Sequence, residues 1–365
     1  YRVSLAMDDD DRFMRLALDL GSRGGYRVMP NPRVGCVLVR DGEVIAEGWH
    51  DHIGGLHAEQ MAIADAESRG VETQGSTAYV TLEPCNHFGR TPPCTEALLW
   101  AGIERVVIGA LDPNPTVRGD GANTLIENGI SVSTGSLENE CVEQMGPFMH
   151  WCDKRRPMVL LKAATDFNGN TDCESSIESS RFTSEESLRL AHDLRADSMA
   201  ILVGINTVIR DDPALTVRGP DIGPRKQPLR VIIDPKCRIP EDSKVMSDGE
   251  ASTLLIHAVE PDVNIDPSHV ERIILTEDGE IPVSKILDML GDRGIQSVLI
   301  EGGPDTWTRF LNEREVDFAQ MCKSPLELVG GRFPFNEELL VESGLVKYDE
   351  FESGGDVITR WKKKH

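Results

Sequence analysis

Apolar and polar residues alternate along roughly the first 150 residues in stretches that predict helices and strands in turn. Acidic residues 8–11 can cap a first helix, which would end near Gly24-Gly25 and whose apolar side would be Phe13, Leu16, Ala17 and Leu20. Strands over 34–39 and 43–48 meet at Asp41-Gly42, a strong hairpin signal. The pattern then predicts helices from residue 57, from 94 to 100 and over 122–128, and strands over 77–82, over 105–109 and near 130. This alternation predicts a mixed sheet covered by helices.

A second alternating run follows the basic, proline-containing segment 154–157. Strands are predicted at 158–162, 200–203, 229–233, 253–257, 272–275, 297–300 and 318–324. Helices are predicted at 184–194, 283–293 and 306–312. A chain of 365 residues exceeds the usual size of one core. We therefore expect two α/β domains, 1–153 and 154–365.

Composition and charge narrow the functional classes. Hydrophobic content of 39% and charged content of 27% are ordinary for a globular protein, and no apolar run approaches 18 residues, so no membrane span is expected. The net charge of −23 disfavours a nucleic-acid partner. Eight cysteines scattered through a long chain, without a secretory signal, favour reduced thiols and a cytoplasmic location.

A candidate zinc site stands out in the first half. His57, Cys85 and Cys94 offer one imidazole and two thiolates, which leaves a fourth position for water. Zn²⁺ lowers the pKa of bound water to about 7. Glu59 would take the proton from that water and return it to the leaving ammonia, as in hydrolytic deamination of a nucleobase-like ring.

Two less specific interpretations remain open. His57 and the two cysteines could be core residues without a metal, although Cys94 follows Pro92-Pro93 in a turn-rich segment that suits a core thiol poorly. A closed structural zinc site would need a fourth ligand, for which His87 is the obvious candidate. Glu59 would have no role in that case.

The spacer between the two cysteines is longer than in the common deaminase signature. Pro84-Cys85-Asn86-His87-Phe88-Gly89-Arg90-Thr91-Pro92-Pro93-Cys94 resembles the family of bifunctional deaminase/reductases of riboflavin biosynthesis. Three further segments resemble the same family: 31–36, 48–50 and 112–115. The resemblance implies a cytidine-deaminase-like three-layer domain, with His57, Cys85 and Cys94 as zinc ligands and Glu59 as proton carrier. It also implies that the substrate's ring and phosphate contact Asn31, His50, His87 and Arg90. Asp120 departs from the family, which usually has a basic residue there.

The second half resembles the family's reductase domain, with a dihydrofolate-reductase-like fold and NADPH as cofactor. The matching segments are 204–218, 301–304 and Lys162 with Ala164. The resemblance implies cofactor contacts from Ala164, Arg181, Thr207, Asp211 and Gly303. It implies reductase substrate contacts from Ser179, Arg195, Leu215, Arg218 and Glu301. Physically, a glycine-rich turn between a strand and a helix presents backbone N–H groups to phosphate.

Three departures bear on the reductase half. Asp166 and Asn168 lie where the family tends to read Ser-Leu-Asp-Gly, and Arg181 stands where it often has a tryptophan. We expect zinc-dependent deamination of a diaminopyrimidinone that carries a phosphoribosylamino group, then NADPH-dependent reduction of its ribosyl group. The alternative is a deaminase whose second domain is a non-catalytic scaffold. The expected partner is a small phosphorylated pyrimidine, with no nucleic acid and no membrane, and the expected assembly is a homo-oligomer.

Overall fold

The structure, a computed structural model, describes residues 9–87, 92–114, 118–174, 181–262, 266–277 and 279–364. Internal contacts divide the chain into two compact units. The first comprises Tyr1–Asp153 with Ile222–Arg225, and the second comprises Lys154–Asp221 with Lys226–His365. Among the described residues, no helix combines the length and the apolarity needed to cross a bilayer.

The first unit is a five-stranded mixed sheet with helices on both faces. Its elements are α1 (Asp9–Ser22), β1 (Gly35–Arg40), β2 (Glu43–Trp49), α2 (Ala58–Ser68), β3 (Thr77–Leu82), α3 (Cys94–Trp100), β4 (Arg105–Ala110), α4 (Asp120–Glu127), β5 (Ser131–Thr134), α5 (Glu138–Gln144) and α6 (Gly146–Lys154). The sheet order is β2-β1-β3-β4-β5. β1 runs antiparallel to β2 and β3, whereas β3, β4 and β5 are parallel. The predicted mixed sheet is confirmed.

Two apolar clusters make this unit three-layered. One cluster joins the sheet to α2, α3 and α4, and the other joins its opposite face to α1, α5 and α6. Helix α2 lies directly against β2 because Gly48 has no side chain: a Cβ there would come within 2.3 Å of the Ala58 carbonyl oxygen and the Ala62 nitrogen. This close contact fixes the start of α2, where two candidate site residues lie.

The second unit is built on a nine-stranded sheet. Its elements are β6 (Met158–Thr165), β7 (Asn170–Asp172), α7 (Glu185–Ala196), β8 (Ala200–Gly204), α8 (Ile205–Asp211), β9 (Leu229–Ile233), α9 (Lys244–Ser247), β10 (Thr253–His257), β11 (Val270–Ile274), α10 (Val283–Asp292), β12 (Ser297–Ile300), α11 (Pro304–Asn312), β13 (Phe318–Lys323), β14 (Arg332–Pro334), α12 (Glu338–Glu342), β15 (Leu345–Ser353) and β16 (Asp356–Lys363). The sheet order is β11-β10-β9-β8-β12-β6-β13-β16-β15, and β14 pairs with β7 in a small separate sheet.

Seven of these strands, from β11 to β13, are parallel, while β16 and β15 are antiparallel additions. The central strands are buried on both faces, which explains why they are short, continuous apolar runs. In parallel sheets the loops after the strands gather at one edge, where ligands usually bind. A ligand site in this unit is therefore expected at the loops after β6, β8, β9 and β12.

The apolar pattern predicted most of these elements. Strands β3, β9, β10 and β12 have the predicted bounds. Leu16, predicted on the buried side of the first helix, is instead 38% exposed, while Met14 and Leu18 are buried. Helix α4 begins at residue 120 rather than 122. The hairpin β15–β16 was not predicted because its edge strand carries many exposed charged residues, a common protection against edge-to-edge pairing.

Candidate functional site

Three predicted metal ligands converge at one edge of the first sheet. His57 immediately precedes α2, Cys94 is the first residue of α3, and Cys85 lies in the loop that follows β3. The Nδ1 atom of His57 is 3.5 Å from Cys85 Sγ and 3.3 Å from Cys94 Sγ. Tetrahedral zinc, with bonds of about 2.3 Å to sulfur and about 2.0 Å to nitrogen, places such donors about 3.5 Å apart. The three residues therefore fit a zinc ion as they stand.

The donor count indicates which kind of zinc site this is. All three donor atoms lie within 4.8 Å of one another, and no further His, Cys, Asp or Glu in the described ranges joins them. His87, the fourth ligand that a closed structural site would need, is not part of the group. Three protein ligands with an open position are typical of catalytic zinc.

Cys85 and Cys94 have different roles in the hydrogen bonds of the cluster: the Cys85 sulfur atom accepts, whereas Cys94 donates. Cys94 donates its S–H to Cys85, and its backbone N–H lies 3.4 Å from the same sulfur atom. The pKa of Cys85 therefore falls to about 4, helped by His57, whereas the hydrogen bond to Cys85 and burial raise the pKa of Cys94. The Cys85 thiolate in turn raises the pKa of His57. A bound divalent cation would replace the Cys94 proton and the His57 proton as the partner of the Cys85 thiolate.

Glu59 lies beside the donor cluster and is only 3% exposed. Burial, with the Cys85 charge as the second cause, raises its pKa to about 7. A carboxyl group with a pKa near neutrality can both take and give a proton, as a general acid–base group must. The predicted proton carrier is thus held at the metal donors in a suitable electrostatic environment.

A predicted ring-binding pair adjoins the cluster. The His50 ring is 5.8 Å from that of His57, centroid to centroid. His50 Nδ1 donates to the Leu56 carbonyl oxygen over 2.8 Å, which leaves its Nε2 to accept from Asn31 Nδ2 at 3.0 Å. Burial lowers the pKa of His50 and keeps the ring neutral. Asn31 and His50 therefore hold each other in fixed orientations beside the metal donors.

The remaining candidates in this unit differ in placement. His87 is exposed on the loop after Cys85, and Arg90 lies outside the described residues. Gln60, which sequence reasoning did not single out, accepts from the His57 backbone N–H at 3.3 Å and donates to the Pro92 carbonyl oxygen at 2.9 Å. It thereby ties the start of α2 to the segment just before Cys94. A glutamine three residues after a helix cap was the available signal.

In the second unit, a cavity of about 800 Å³ opens at the ends of the parallel strands. All five predicted cofactor contacts line it: Ala164, Arg181, Thr207, Asp211 and Gly303. Lys162 and Glu301 line it as well. The cavity size is in the range of cofactor and ligand sites.

Several features of this cavity fit a dinucleotide phosphate. A Cβ at Gly204 or at Gly302 would come within 2.8 Å of the Thr306 side chain, so the turns after β8 and β12 approach each other closely. The glycine turn leads into α11, whose N-terminus favours anions. Trp307 lines the cavity, and its buried Nε1 has no hydrogen-bond partner among the described residues. That donor is available to a ligand.

Glu301 is fixed by Arg195 in a two-bond ion pair. Arg195 Nε and Nη2 lie 2.7 Å and 2.6 Å from the two Glu301 oxygens, and Nη1 donates to the Thr216 carbonyl oxygen at 3.0 Å. Burial opposes ionisation of Glu301, but the Arg195 charge outweighs it and holds the pKa of Glu301 below its usual value. The carboxylate thus remains ionised at the cavity wall.

The other predicted substrate contacts lie further back. Leu215 is 1% exposed, has a φ of 50° and packs in an apolar cluster, so only its backbone is available to a ligand. Arg218 is exposed, and its backbone N–H donates to His192 Nδ1 at 3.1 Å. Neither these two residues nor Arg195 line the cavity. Ser179 lies outside the described residues.

Comparisons with known proteins identify the family. A model of the RibD C-terminal domain matches residues 157–358, which is more than half of the chain, and a model of the cytidine and deoxycytidylate deaminase zinc-binding region matches residues 7–110. The chain belongs to the RibD family.

Several proteins of the RibD family are similar to this chain over most of their length. The riboflavin biosynthesis protein RibD of Aquifex aeolicus is 41% identical over 306 residues, covering 83% of each chain. The structure of RibD from Acinetobacter baumannii has a TM-score of 0.84 and 33% identity, covering 98% of this chain and 99% of that one. A Thermotoga maritima diaminohydroxyphosphoribosylaminopyrimidine deaminase/5-amino-6-(5-phosphoribosylamino)uracil reductase has a TM-score of 0.84 and 34% identity, with the same coverage. The resemblance and the predicted fold class are confirmed.

Two of the departures from the RibD pattern lie outside the cavity wall. Asp166 accepts from the backbone N–H groups of Asn170 at 2.7 Å and Leu328 at 3.0 Å. Asn168 donates to Glu327 Oε1 at 2.9 Å. These side chains join one turn to a neighbouring loop and add nothing to the cavity lining. Asp120, the departure in the first unit, is exposed in the first turn of α4, where a negative charge is favourable.

Arg181 is the departure that does line the cavity. Its guanidinium forms an ion pair with Glu185, the first residue of α7. It replaces an apolar contact surface with a cation. Lys162, which lies beside Glu301 in the same wall, is a site residue that sequence reasoning left without a role.

Proposed function

We propose that the chain catalyses two consecutive reactions of riboflavin biosynthesis. The first is hydrolytic deamination of 2,5-diamino-6-(5-phosphoribosylamino)pyrimidin-4(3H)-one, and the second is NADPH-dependent reduction of the ribosyl group to a ribityl chain. The observation that carries this proposal is the three-donor cluster with Glu59 beside it. The Thermotoga maritima relative, which covers 98% of this chain, is named for both activities.

For the deamination, His57, Cys85 and Cys94 would hold a zinc ion, which would supply an activated water as nucleophile. Glu59 accepts the proton released when that nucleophile forms and delivers it to the departing amine. Water is thereby added and ammonia leaves, with no net change in the protonation of the enzyme. The buried setting of Glu59 suits both roles because it brings the pKa to about 7.

The substrate's ring and phosphate have separate proposed contacts. Asn31 and His50 would orient the ring, since each is fixed by the other and both adjoin His57. His87 and Arg90 would hold the phosphate, an assignment that rests on the family resemblance. The Arg90 guanidinium is complementary to a phosphate group, for which it offers two parallel hydrogen bonds.

For the reduction, the cavity lining would hold NADPH, which would supply a hydride for C1′ of the ring-opened ribosyl group. The sugar also gains a proton, for which Lys162, whose side chain lines the same cavity, is the proposed donor. Glu301, kept ionised by Arg195, would accept hydrogen bonds from sugar hydroxyls. The proposed cofactor contacts are Ala164, Arg181, Thr207, Asp211 and Gly303. Ser179, Leu215 and Arg218 are the further proposed substrate contacts, Leu215 through its backbone alone.

The alternative, a deaminase with a non-catalytic second domain, receives less support. A scaffold has no need for an ionised carboxylate in the wall of a cavity of about 800 Å³, nor for an unpartnered indole N–H beside it. Burying such groups is costly, and they are typical of ligand sites. The retained lining therefore favours a working reductase.

A paired assay on one preparation tests the proposal. Zinc content, ammonia release from the diaminopyrimidinone and oxidation of NADPH with the deaminated intermediate would be measured together. We expect about one zinc per chain and both activities, with ammonia release alone abolished by a zinc chelator. Deamination without NADPH oxidation would instead establish the scaffold alternative. Loss of both reactions would refute the assignment.

We also propose residues 1–153 and 154–365 as the two domains, a homo-oligomeric assembly and a cytoplasmic location. The two family models match on either side of the proposed boundary, at 7–110 and 157–358. Eight cysteines without a disulfide are in keeping with a reducing compartment. Light scattering after gel filtration would give the assembly mass, and a monomer at micromolar concentration would contradict the oligomer.

A further inference from the structure

The loop that carries Cys85 also contains a buried carboxylate, that of Glu83. Glu83 follows β3, two residues before the ligand, and is 6% exposed. Its two oxygens accept four backbone N–H groups at 3.0 to 3.2 Å: Oε2 from Asp112 and Gly119, and Oε1 from Gly121 and Ala122. The carboxylate is therefore fully engaged by the backbone.

The four donors belong to two segments that flank the metal donors. Asp112 lies just after β4, and Gly119 to Ala122 form the beginning of α4. Both segments donate to the carboxylate that lies two residues before Cys85, so both lie beside the loop that carries this metal donor. Glu83 thus connects the ligand loop to two segments that come later in the chain.

Helix α4 packs closely against the loop that carries Cys85. A Cβ at Gly121 would lie 2.1 Å from the carbonyl oxygen of Pro84, the residue before Cys85. On the other side of Cys85, Asn86 Nδ2 donates to Thr124 Oγ1 of α4 at 2.9 Å. The position of Cys85 therefore depends on the position of α4, and Glu83 holds both.

Only a carboxylate can make this set of bonds. Both of its oxygens accept and neither carries a proton, whereas an amide of the same shape would present an NH₂ group to two N–H donors. Four donors directed at a buried charge also compensate its desolvation. Glu83→Gln is therefore nearly isosteric, yet it leaves two buried N–H groups without an acceptor.

We propose that Glu83 is a positioning residue for the deamination. It is not one of the metal donors, and it acts by fixing Cys85 and the Asp112 turn relative to each other. This inference rests on the proposed deaminase function. Residues that orient metal ligands in this way typically contribute about 10- to 100-fold to metal affinity or activity.

The test compares Glu83→Gln with wild type and with Asp10→Asn. Asp10 is a matched control: it is a partly buried carboxylate of the same unit, hydrogen-bonded to Arg105 and Tyr79, and it is not part of the zinc site. Three readouts are compared: zinc affinity by chelator competition, the thiolate and ligand-field absorption of the cobalt-substituted protein, and kcat and KM for ammonia release. The reductase rate on the same samples checks that the second unit is intact.

We expect Glu83→Gln to lose at least about tenfold in zinc affinity or in kcat/KM for ammonia release, with a changed cobalt spectrum. Asp10→Asn should lose only thermal stability. The proposal would be overturned if Glu83→Gln had the cobalt spectrum of wild type and a zinc affinity and kcat/KM within twofold of it. It would also be overturned if Asp10→Asn changed these quantities as much as Glu83→Gln does.

If Glu83→Gln does not fold, Glu83→Asp keeps the charge and is held to the same readouts and criteria. The cobalt spectrum also separates this proposal from the proposed function. A wild-type protein that failed to release ammonia would refute the deaminase assignment. The spectral comparison would still decide whether Glu83 positions the donors.

Discussion

The Arg195–Glu301 ion pair allows the reductase half to be tested for stability and for activity separately. The two side chains are 14% and 10% exposed and joined by two short charged hydrogen bonds. Replacing one partner by methionine leaves the other as an uncompensated buried charge, which costs about 3–5 kcal/mol in such pairs. Because each group retains some exposure, we expect about 3 kcal/mol for Arg195→Met and for Glu301→Met.

The double variant should behave differently from the sum of the single ones. Removing both partners leaves no unpaired charge, so Arg195→Met/Glu301→Met should lose far less than about 6 kcal/mol, with a coupling energy of about 3 kcal/mol. Denaturant unfolding of the four proteins would measure these values. Reductase activity, followed at the nicotinamide absorbance band, should stay lost in the double variant, because the carboxylate at the cavity wall is gone.

The pH dependence of the same pair has a defined sign. The pKa of Glu301 is lowered in the folded protein, so its contribution to stability is present above the unfolded value near 4.5 and is lost as the pH falls through the folded pKa. The double variant should not show this loss of stability as the pH falls. Single-variant costs that add to within about 0.5 kcal/mol would refute the coupling, and a double variant that still reduces substrate would refute the role of Glu301.

Three further predictions concern other parts of the molecule. Glu59→Gln should retain zinc but lose deamination by about 10²- to 10⁴-fold, which metal analysis and ammonia release would measure; an active variant would remove Glu59 from the mechanism. Gly302→Ala should raise the KM for NADPH and spare deamination, because its Cβ would lie 2.8 Å from Thr306; an unchanged KM would contradict the cofactor cradle. Asp166→Ala should lower the free energy of unfolding by about 2 kcal/mol, since the Leu328 N–H loses its acceptor, and thermal unfolding with no change would contradict this.

The zinc site was predictable because its parts are local. His57 and Glu59 are two residues apart, and Cys85 comes three residues after the end of a strand that the apolar pattern identified. Glu83 was not predictable, since its four partners lie 29 to 39 residues further along the chain and are backbone groups with no sequence signature. A carboxylate before a Pro-Cys pair gives no sign of what it will bind.

In the second unit, too, some site features were predictable from the sequence and others were not. Parallel-strand order places the ends of β6, β8 and β12 together, so Ala164, Thr207 and Gly303 line one cavity as the family resemblance implied. Leu215 differs, because a residue can take part in a binding loop through its backbone while its side chain serves the core. Sequence comparison finds the position but does not say which atoms face the ligand.

The effect of each departure from the family pattern depends on where the residue lies relative to the cavity. Asp166 and Asn168 change a turn that cross-links two loops, and their hydrogen bonds are satisfied there. They leave Lys162 and Glu301 in place in the cavity wall. Arg181 alters the wall itself, exchanging an apolar surface for a cation paired with Glu185. The differences of this chain should therefore affect how the cofactor is held more than whether the reduction can occur, so Arg181→Trp should change the KM for NADPH while leaving kcat within a fewfold.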